Sequence, residues 1–468
     1  MKKILIVSYF FSPANMMGAV RGTKLSKYLS RIGYDVTVIC SKNNKLEFMP
    51  GEMKKDKTLE NDIIGINVVR VGHTHFYLKL ANVLRKISTR LFPRGTVQER
   101  PREKDSYVNK KRYIVFIKKL AQDIVHFLTF MVTIVQDLDF CLNTKNIFRE
   151  YDIDINEYHA VISTYGPLGS HFVGKMIKKM NPKIIWVADF RDPITLGSDG
   201  IIQRKIKNII QQNICNNSDK ITAISQGNLE MITNGKYNEK KMVIMNGYDI
   251  EDIILDNRQL KKNKLEFVYT GTTYAGKRDL SPIFKVISEL IKEKIIDKDY
   301  IIFNYAGSED QYVYRQAARY NLEDIIKSSG YISRTEAIEL QANSEILVVS
   351  TWNEMEHSGV IPGKFLEYMA YKKNIISLVN GEVKNSEIRE IINNYKLGIT
   401  YEQANKEKDY KELKEYISKQ YNWFIKNGHC NYEGKKNLIE LHDYRKIAEK
   451  FNSLILDNNI TIDNERGE

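Results

Sequence analysis

The first forty residues constrain this chain most. Lys3-Ile4-Leu5-Ile6-Val7-Ser8 is a short apolar run rich in β-branched residues, and it breaks at Phe11-Ser12-Pro13. Arg21–Ile32 follows with apolar residues near helical spacing, then the turn Gly33-Tyr34-Asp35, then a second apolar run at Val36–Cys40. Strand, loop, helix, turn and strand in that order make a βαβ unit, which requires a parallel sheet covered by helices. Further buried-type strands are predicted at Ala160–Ser163, Lys183–Ala188, Lys220–Ile224 and Met242–Met245. A second set follows at Leu265–Thr270, Tyr300–Tyr305, Ile325–Tyr331, Ile346–Ser350 and Ile375–Leu378, again with helical stretches between. A chain of 468 residues is long enough for two cores. The pattern therefore predicts an α/β protein of two doubly wound, Rossmann-like domains. The first spans 1–250 and the second 260–430, joined by the charged, irregular stretch Asp249–Lys264.

Composition removes several classes. Hydrophobic residues make 43% and charged residues 28%, which excludes disorder and a polytopic membrane protein. Four cysteines without CxxC spacing fit a reducing compartment rather than a disulfide framework or a structural zinc. The N-terminal apolar run is too short for a signal peptide. The net charge of +13 is concentrated. Between His75 and Leu120 stand thirteen Lys/Arg against three Asp/Glu, inside a helical insert at about 75–150 that breaks the strand–helix alternation. The apolar run Ile124–Val135 within it is far short of the ~20 residues that span a bilayer. Such a local basic surface suggests one anionic partner, an anionic membrane surface through about 75–120, with Phe76, Tyr77, Leu78, Leu80, Leu84, Ile87, Leu91 and Phe92 entering the interface; an ordinary solvated basic face packed on the first domain is the alternative. Nucleic acid is a poor fit, because no reading module accompanies the charge.

Four loops carry candidate chemistry. Gly359-Val360-Ile361-Pro362-Gly363 joins a strand to Lys364-Phe365-Leu366-Glu367. Glycines allow close backbone approach, proline suits the first helical turn, and free N–H groups with the helix dipole favour a phosphate. Gly359, Val360, Ile361 and Lys364 are donor-side candidates, and Glu367, one turn in, is placed to accept two ribose hydroxyls. A second loop, Gly271–Arg278, puts Gly271, Lys277 and Arg278 at a strand end, which suits a diphosphate without being a Walker A loop. Plain turns with solvated charges are the alternative in both places. In the first half, Gly18 and Arg21 follow the first strand, and Asp189, Arg191 and Asp192 follow a later one on the same edge. Ligands of such sheets bind outside the carboxyl ends of strands. The Asp189–Asp192 cluster could orient or deprotonate an acceptor hydroxyl, or it could be a structural ion pair. His171 is a weaker candidate base, since a histidine there is more often a core or capping residue.

Taken together, Lys3–Cys40, Ala160–Pro193, Ser218–Asp249 and Phe267–Leu378 resemble a GT-B glycosyltransferase of the retaining family 4 type. Met245-Asn246-Gly247-Tyr248-Asp249 is similar to that family's linker entry, and Gly330–Ala337 to its base-holding loop. The resemblance implies two domains facing a cleft, with a C-terminal segment, 431–468, whose helix crosses back to the first. It implies a nucleotide-sugar donor, UDP- or GDP-linked, and no catalytic metal or other cofactor. Lys277 and Arg278 would neutralise the diphosphate, Glu367 would take the ribose, Tyr331 and Ile332 the base, and Gly18 would approach the phosphate. The acceptor would be a lipid-linked glycan of bacterial surface polysaccharide, handled by a cytoplasmic enzyme peripheral on the inner face of the membrane. One position departs from the family: Gly359 stands where its E-x7-E pair has the first glutamate, which leaves the donor sugar and the stereochemistry open. A sugar-nucleotide epimerase and a non-catalytic membrane-docked scaffold are the competing readings.

Overall fold

The computed structural model describes residues 1–14, 16–43, 55–91, 108–195, 199–253, 263–355 and 359–456, with side chains except at 84–91 and 108–126. The chain divides into two compact units. The first comprises Met1–Ala223, Leu229–Met242 and Phe451–Glu468, and the second Ile224–Asn228 and Val243–Lys450.

The first unit holds a seven-stranded sheet: β1 (Lys3–Ser8), β2 (Asp35–Ser41), β3 (Asn67–Val71), β4 (Tyr158–Thr164), β5 (Ile185–Asp189), β6 (Lys220–Ala223) and β7 (Lys241–Val243). Its order is β3-β2-β1-β4-β5-β6-β7. The second holds six strands: β8 (Leu265–Thr270), β9 (Ile301–Ala306), β10 (Ile326–Ser328), β11 (Ile346–Trp352), β12 (Asn374–Asn380) and β13 (Gly398–Glu402), in the order β10-β9-β8-β11-β12-β13. Both orders are doubly wound, and in both the direction of winding reverses next to the unit's first strand: between β1 and β4, and between β8 and β11. A ligand of such a sheet sits in the crevice at that reversal. Central strands are buried on both faces, as in β1 and β11, so they read as continuous apolar runs. The edge strands β3 and β13 are only half covered and lack that signal, so the sequence reading passed over them.

The insert is helical, as expected. It contains a helix His75–Leu91 and a 43-residue helix Val108–Glu150, about 65 Å long at 1.5 Å per residue. Its far end is pinned to the first unit. Tyr77 donates to Gln136 Oε1 at 2.9 Å, Gln136 donates to Tyr9 Oη at 2.9 Å, and His73 lies 2.8 Å from both Tyr9 Oη and Asp139 Oδ2. Tyr77 is therefore a core residue, which corrects its assignment to the membrane-facing set, whereas Phe76 is exposed. The side chains of Leu84, Arg85, Lys86, Ile87, Arg90 and Leu91, and residues Phe92 and Arg94, lie outside the described residues. Among the described residues no helix is long and apolar enough to cross a membrane.

Candidate functional site

In the first unit the arginines divide differently from the sequence reading. Arg21 and Asp189 are fully buried and are each other's partners: Nε and Nη2 donate to the two carboxylate oxygens at 2.8 Å. Thr164 and Thr222 donate to the same carboxylate at 3.0 and 2.7 Å, which fills its acceptor sites. Burial alone would raise the Asp189 carboxyl, but the Arg21 charge and these hydrogen bonds outweigh it and hold it below the usual range. A saturated, buried, ionised carboxylate of this kind holds the ends of β4, β5 and β6 together and has no room for an acceptor. Arg21 likewise is buried and engaged with this carboxylate. His171 is also a core residue: it is buried, its Nδ1 lies 2.8 Å from Ser163 Oγ, and burial drives its imidazole down to about 3.

Near the reversal point Asp192 stays at the surface, whereas the Arg191 side chain is mostly buried. Arg191 has a left-handed backbone, φ 42, which a residue with a side chain adopts at a cost of about 1–3 kcal/mol. Its guanidinium lies against the loops that follow β1 and β4. A side chain at Gly18 would run into it, and a Cβ at Gly166 would come within 3.1 Å of it. Gly18 thus serves the arginine's position. Asp192 is exposed, 3.8 Å from Arg191 Nη2.

Beside them lies a cavity of about 300 Å3, lined on one side by Phe130, Thr133, Ile134 and Asp137 of the long helix and on the other by Tyr165 and the Lys207–Asp199 pair. Asp137 is fully buried. Burial pushes its carboxyl up to about 8, against the pull of the Leu168 and Gly169 N–H groups. Sequence reasoning missed it, since a single aspartate within a long helix has no local signature.

In the second unit the predicted donor residues do converge. Gly271 follows β8 with φ 106, and the Lys364 ammonium packs beside it, donating to the carbonyl of Thr270. A Cβ at 271 would stand 2.7 Å from that nitrogen. Burial, and then the charge of Arg278, push Lys364 down to about 7. The rest of the loop is shaped by Glu309, whose carboxylate accepts from the N–H and hydroxyl of Thr273 at 2.7 and 2.8 Å. Tyr274, Ala275 and Gly276 are all left-handed. Lys277 stacks over the Trp352 ring at 4.5 Å and pairs with Glu354 at 3.2 Å, while the largely buried Arg278 stacks on Tyr274 at 4.6 Å and Trp352 at 5.5 Å. The helix Gly363–Ala370 begins after Pro362, and no side chain caps its amino end. Val360 and Ile361 lead into it, the Val360 carbonyl held by Thr351 Oγ1 at 3.0 Å.

Glu367 is half-buried and bound to Arg334 at 3.0 Å; Arg334 also holds Asp252 at 2.9 Å. The loop before Arg334 carries exposed Tyr331 and half-buried Ile332 after the left-handed Gly330. Gly359 points elsewhere. It has φ 71, and a Cβ there would lie 2.6 Å from Ser225 Oγ and 2.9 Å from Glu387 Oε1. Glu387, raised by burial, accepts from the N–H groups of Gly227 and Gln226 at 2.6 and 3.0 Å. Gly359 is thus a position with no room for a side chain. Trp352 and Glu309 lie outside the segments singled out from the sequence, and Tyr274 and Arg334 lie within them without an assigned role.

No protein-family model matches the chain, and no curated protein matches it. Solved structures do. A UDP-forming α,α-trehalose-phosphate synthase from Burkholderia xenovorans matches with a TM-score of 0.59 at 8% identity, over 98% of this chain and 99% of its own. The lipopolysaccharide outer core galactosyltransferase WaaB matches with a TM-score of 0.54 at 13% identity, over 97% and 99%. A Listeria monocytogenes structure assigned as a UDP-N-acetylglucosamine 2-epimerase matches with a TM-score of 0.50 at 10% identity, over 97% and 96%. The fold is GT-B, with two Rossmann-like sheets of seven and six strands.

Proposed function

We propose that the protein is a glycosyltransferase that moves a sugar from a nucleotide-sugar donor, UDP- or GDP-linked, to an acceptor hydroxyl. The observation that carries this is the convergence of Lys277, Arg278 and Lys364 on the Gly271 loop and an uncapped helix start, at the winding reversal of the second sheet. Breaking a glycosidic bond leaves charge on the departing diphosphate, and fixed cations and N–H groups stabilise that charge without any metal. Glu367, held by Arg334, takes the ribose hydroxyls, and the Tyr331–Ile332 backbone takes the base. On the acceptor side the reading moves to Arg191, Asp192 and the Asp137 cavity. Retention of configuration and a family 4 assignment rest on the motif pattern.

The acceptor that fits the basic insert is a lipid-linked glycan in bacterial surface polysaccharide synthesis, its sugar at the membrane surface and its tail in the bilayer. The enzyme would then work on the inner face of the cell membrane. The epimerase reading needed acid–base groups in the Asp189–Asp192 cluster, and Asp189 is occupied by Arg21. The scaffold reading has to explain a full set of donor cations.

A screen of UDP- and GDP-sugars by thermal shift finds the donor, since a ligand at ~100 times its dissociation constant adds about 2.7 kcal/mol. Analysis of the products then separates the readings. A transferase releases free sugar and nucleoside diphosphate in slow hydrolysis. An isomerised nucleotide sugar identifies an epimerase, and no turnover of a bound donor identifies a scaffold.

A further inference from the structure

A second cavity, about 650 Å3, lies in the second unit, where three tyrosines (Tyr320, Tyr401, Tyr410) and three lysines (Lys285, Lys406, Lys411) meet. We propose that it binds an anionic sugar, a uronate or phosphosugar unit of a glycan, as a site separate from the one that holds the donor.

Three features point to such a ligand. The first is charge. Three lysines face two acidic residues, and one of these, Asp279, already accepts from the Ser281 N–H at 3.0 Å. The second is backbone polarity. The twelve-residue helix Ser281–Lys292 and the 22-residue helix Lys406–Asn427 both present their amino ends here, and no N-cap side chain closes either. Each amino end carries a partial positive charge, which favours an anion even though the first N–H groups are already bonded, that of Ser281 to Asp279 and that of Lys406 to the Gln403 carbonyl. Inside that rim, Ser281 is 93% buried, and among the described residues its Oγ has no hydrogen-bond partner. A buried hydroxyl without a partner is a cost that a ligand oxygen removes.

The third feature is shape. A single inorganic anion leaves most of 650 Å3 unfilled. Tyrosine rings offer flat apolar faces with a polar edge, which suits the C–H face of a sugar ring flanked by hydroxyls. Tyr410 already carries the Lys285 ammonium 4.6 Å above its ring, so cation and platform are presented together. A purely apolar ligand would leave the lysines desolvated, and a bare anion would leave the rings unused.

This cavity shares no lining residue with the donor loops or with the cavity beside Asp137. The test is calorimetric titration of the full chain with trigalacturonate, glucose 6-phosphate and neutral maltotriose. One or both of the anionic sugars should bind, and which one binds tells a carboxylate from a phosphate. Lys285→Glu/Lys411→Glu should weaken that binding by about tenfold or more. Both lysines are exposed, so the fold should survive, and UDP affinity should not change. Ser281→Ala should weaken binding less, and Lys277→Ala not at all. The proposal is overturned if neither anionic sugar binds, if maltotriose binds as tightly, or if binding is lost with Lys277→Ala instead.

Discussion

Arg334 donates Nη2 to Oε1 of Glu367 at 3.0 Å, while its Nη1 holds Asp252 at 2.9 Å. Burial works against the Arg334 charge, but the two carboxylates outweigh it, so the guanidinium stays ionised and fixes Glu367 in one orientation. Glu367→Ala should therefore weaken donor binding by ~1.5–3 kcal/mol with little loss of fold. Arg334→Ala should weaken it too, although the arginine acts only through Glu367. The double variant should be no worse than Glu367→Ala alone, because both changes remove one interaction. Calorimetry with the donor found by the screen measures all three, and additive losses would show that the residues act independently.

Lys364 supplies a pH dependence with a definite sign. Its folded value, about 7, lies below its ordinary 10.5, so the unfolded chain binds more protons between those limits. Stability rises as pH rises through that window, and the cost is fully present below about 7. Diphosphate binding runs the other way, since it gains from the charged ammonium. UDP should bind more tightly as pH falls from about 8 to 6, and Lys364→Met should flatten that dependence. A pH profile that is the same in both proteins would remove Lys364 from the diphosphate site.

Asp189 and Asp192, grouped together by sequence, should now separate. Asp189→Asn leaves the Arg21 charge buried without its counter-ion, a loss of ~3–5 kcal/mol, and should appear as a large drop in the denaturation midpoint. Asp192 is exposed, so Asp192→Asn should leave stability within about 0.5 kcal/mol of the parent. It should still bind the donor and lose transfer. Normal transfer by Asp192→Asn would return that loop to a structural role.

These contrasts show which parts were legible beforehand. Gly271, Lys277, Lys364 and Glu367 lie within single strand–loop–helix segments, where glycine, cation and helix start are neighbours in the chain. The pairs that reassign roles are distant in sequence: 168 residues separate Arg21 from Asp189, and 33 separate Arg334 from Glu367. No local periodicity encodes such partners. Gly359 was legible as a departure from the E-x7-E pattern, but its reason was not. Its left-handed backbone and the nearness of Ser225 and Glu387 come from three separate segments.

It follows that restoring the glutamate should fail. Gly359→Glu places a Cβ 2.6 Å from Ser225 Oγ on a backbone with φ 71, and it brings a second carboxylate beside Glu387. Overpacking and a left-handed side chain each cost about 1–3 kcal/mol. Gly359→Ala should already lower the denaturation midpoint, and Gly359→Glu should lower it further without a gain in turnover. Improved transfer by Gly359→Glu would mean that the loop can adopt the family's usual arrangement.

The insert should dock on an anionic membrane. Thirteen basic against three acidic residues in His75–Leu120 give +10 over 46 residues. Lys and Arg near an anionic leaflet contribute ~1 kcal/mol each, and apolar side chains can enter the interface beside them. Phe76 is already exposed at the start of this stretch, whereas Tyr77 is held in the core and is excluded from the contact. Liposome flotation tests this. The protein should float with vesicles containing anionic lipid and not with neutral ones. Binding should fall as salt approaches ~0.5 M, because exposed charges are screened. Changing Arg85, Lys86, Arg90 and Arg94 to Glu should abolish flotation while leaving UDP affinity intact, since the nucleotide contacts proposed above all lie in the second unit. Unaltered protein that stays behind when anionic vesicles float at low salt would leave the basic stretch a solvated face, and the lipid-linked acceptor would lose its physical support.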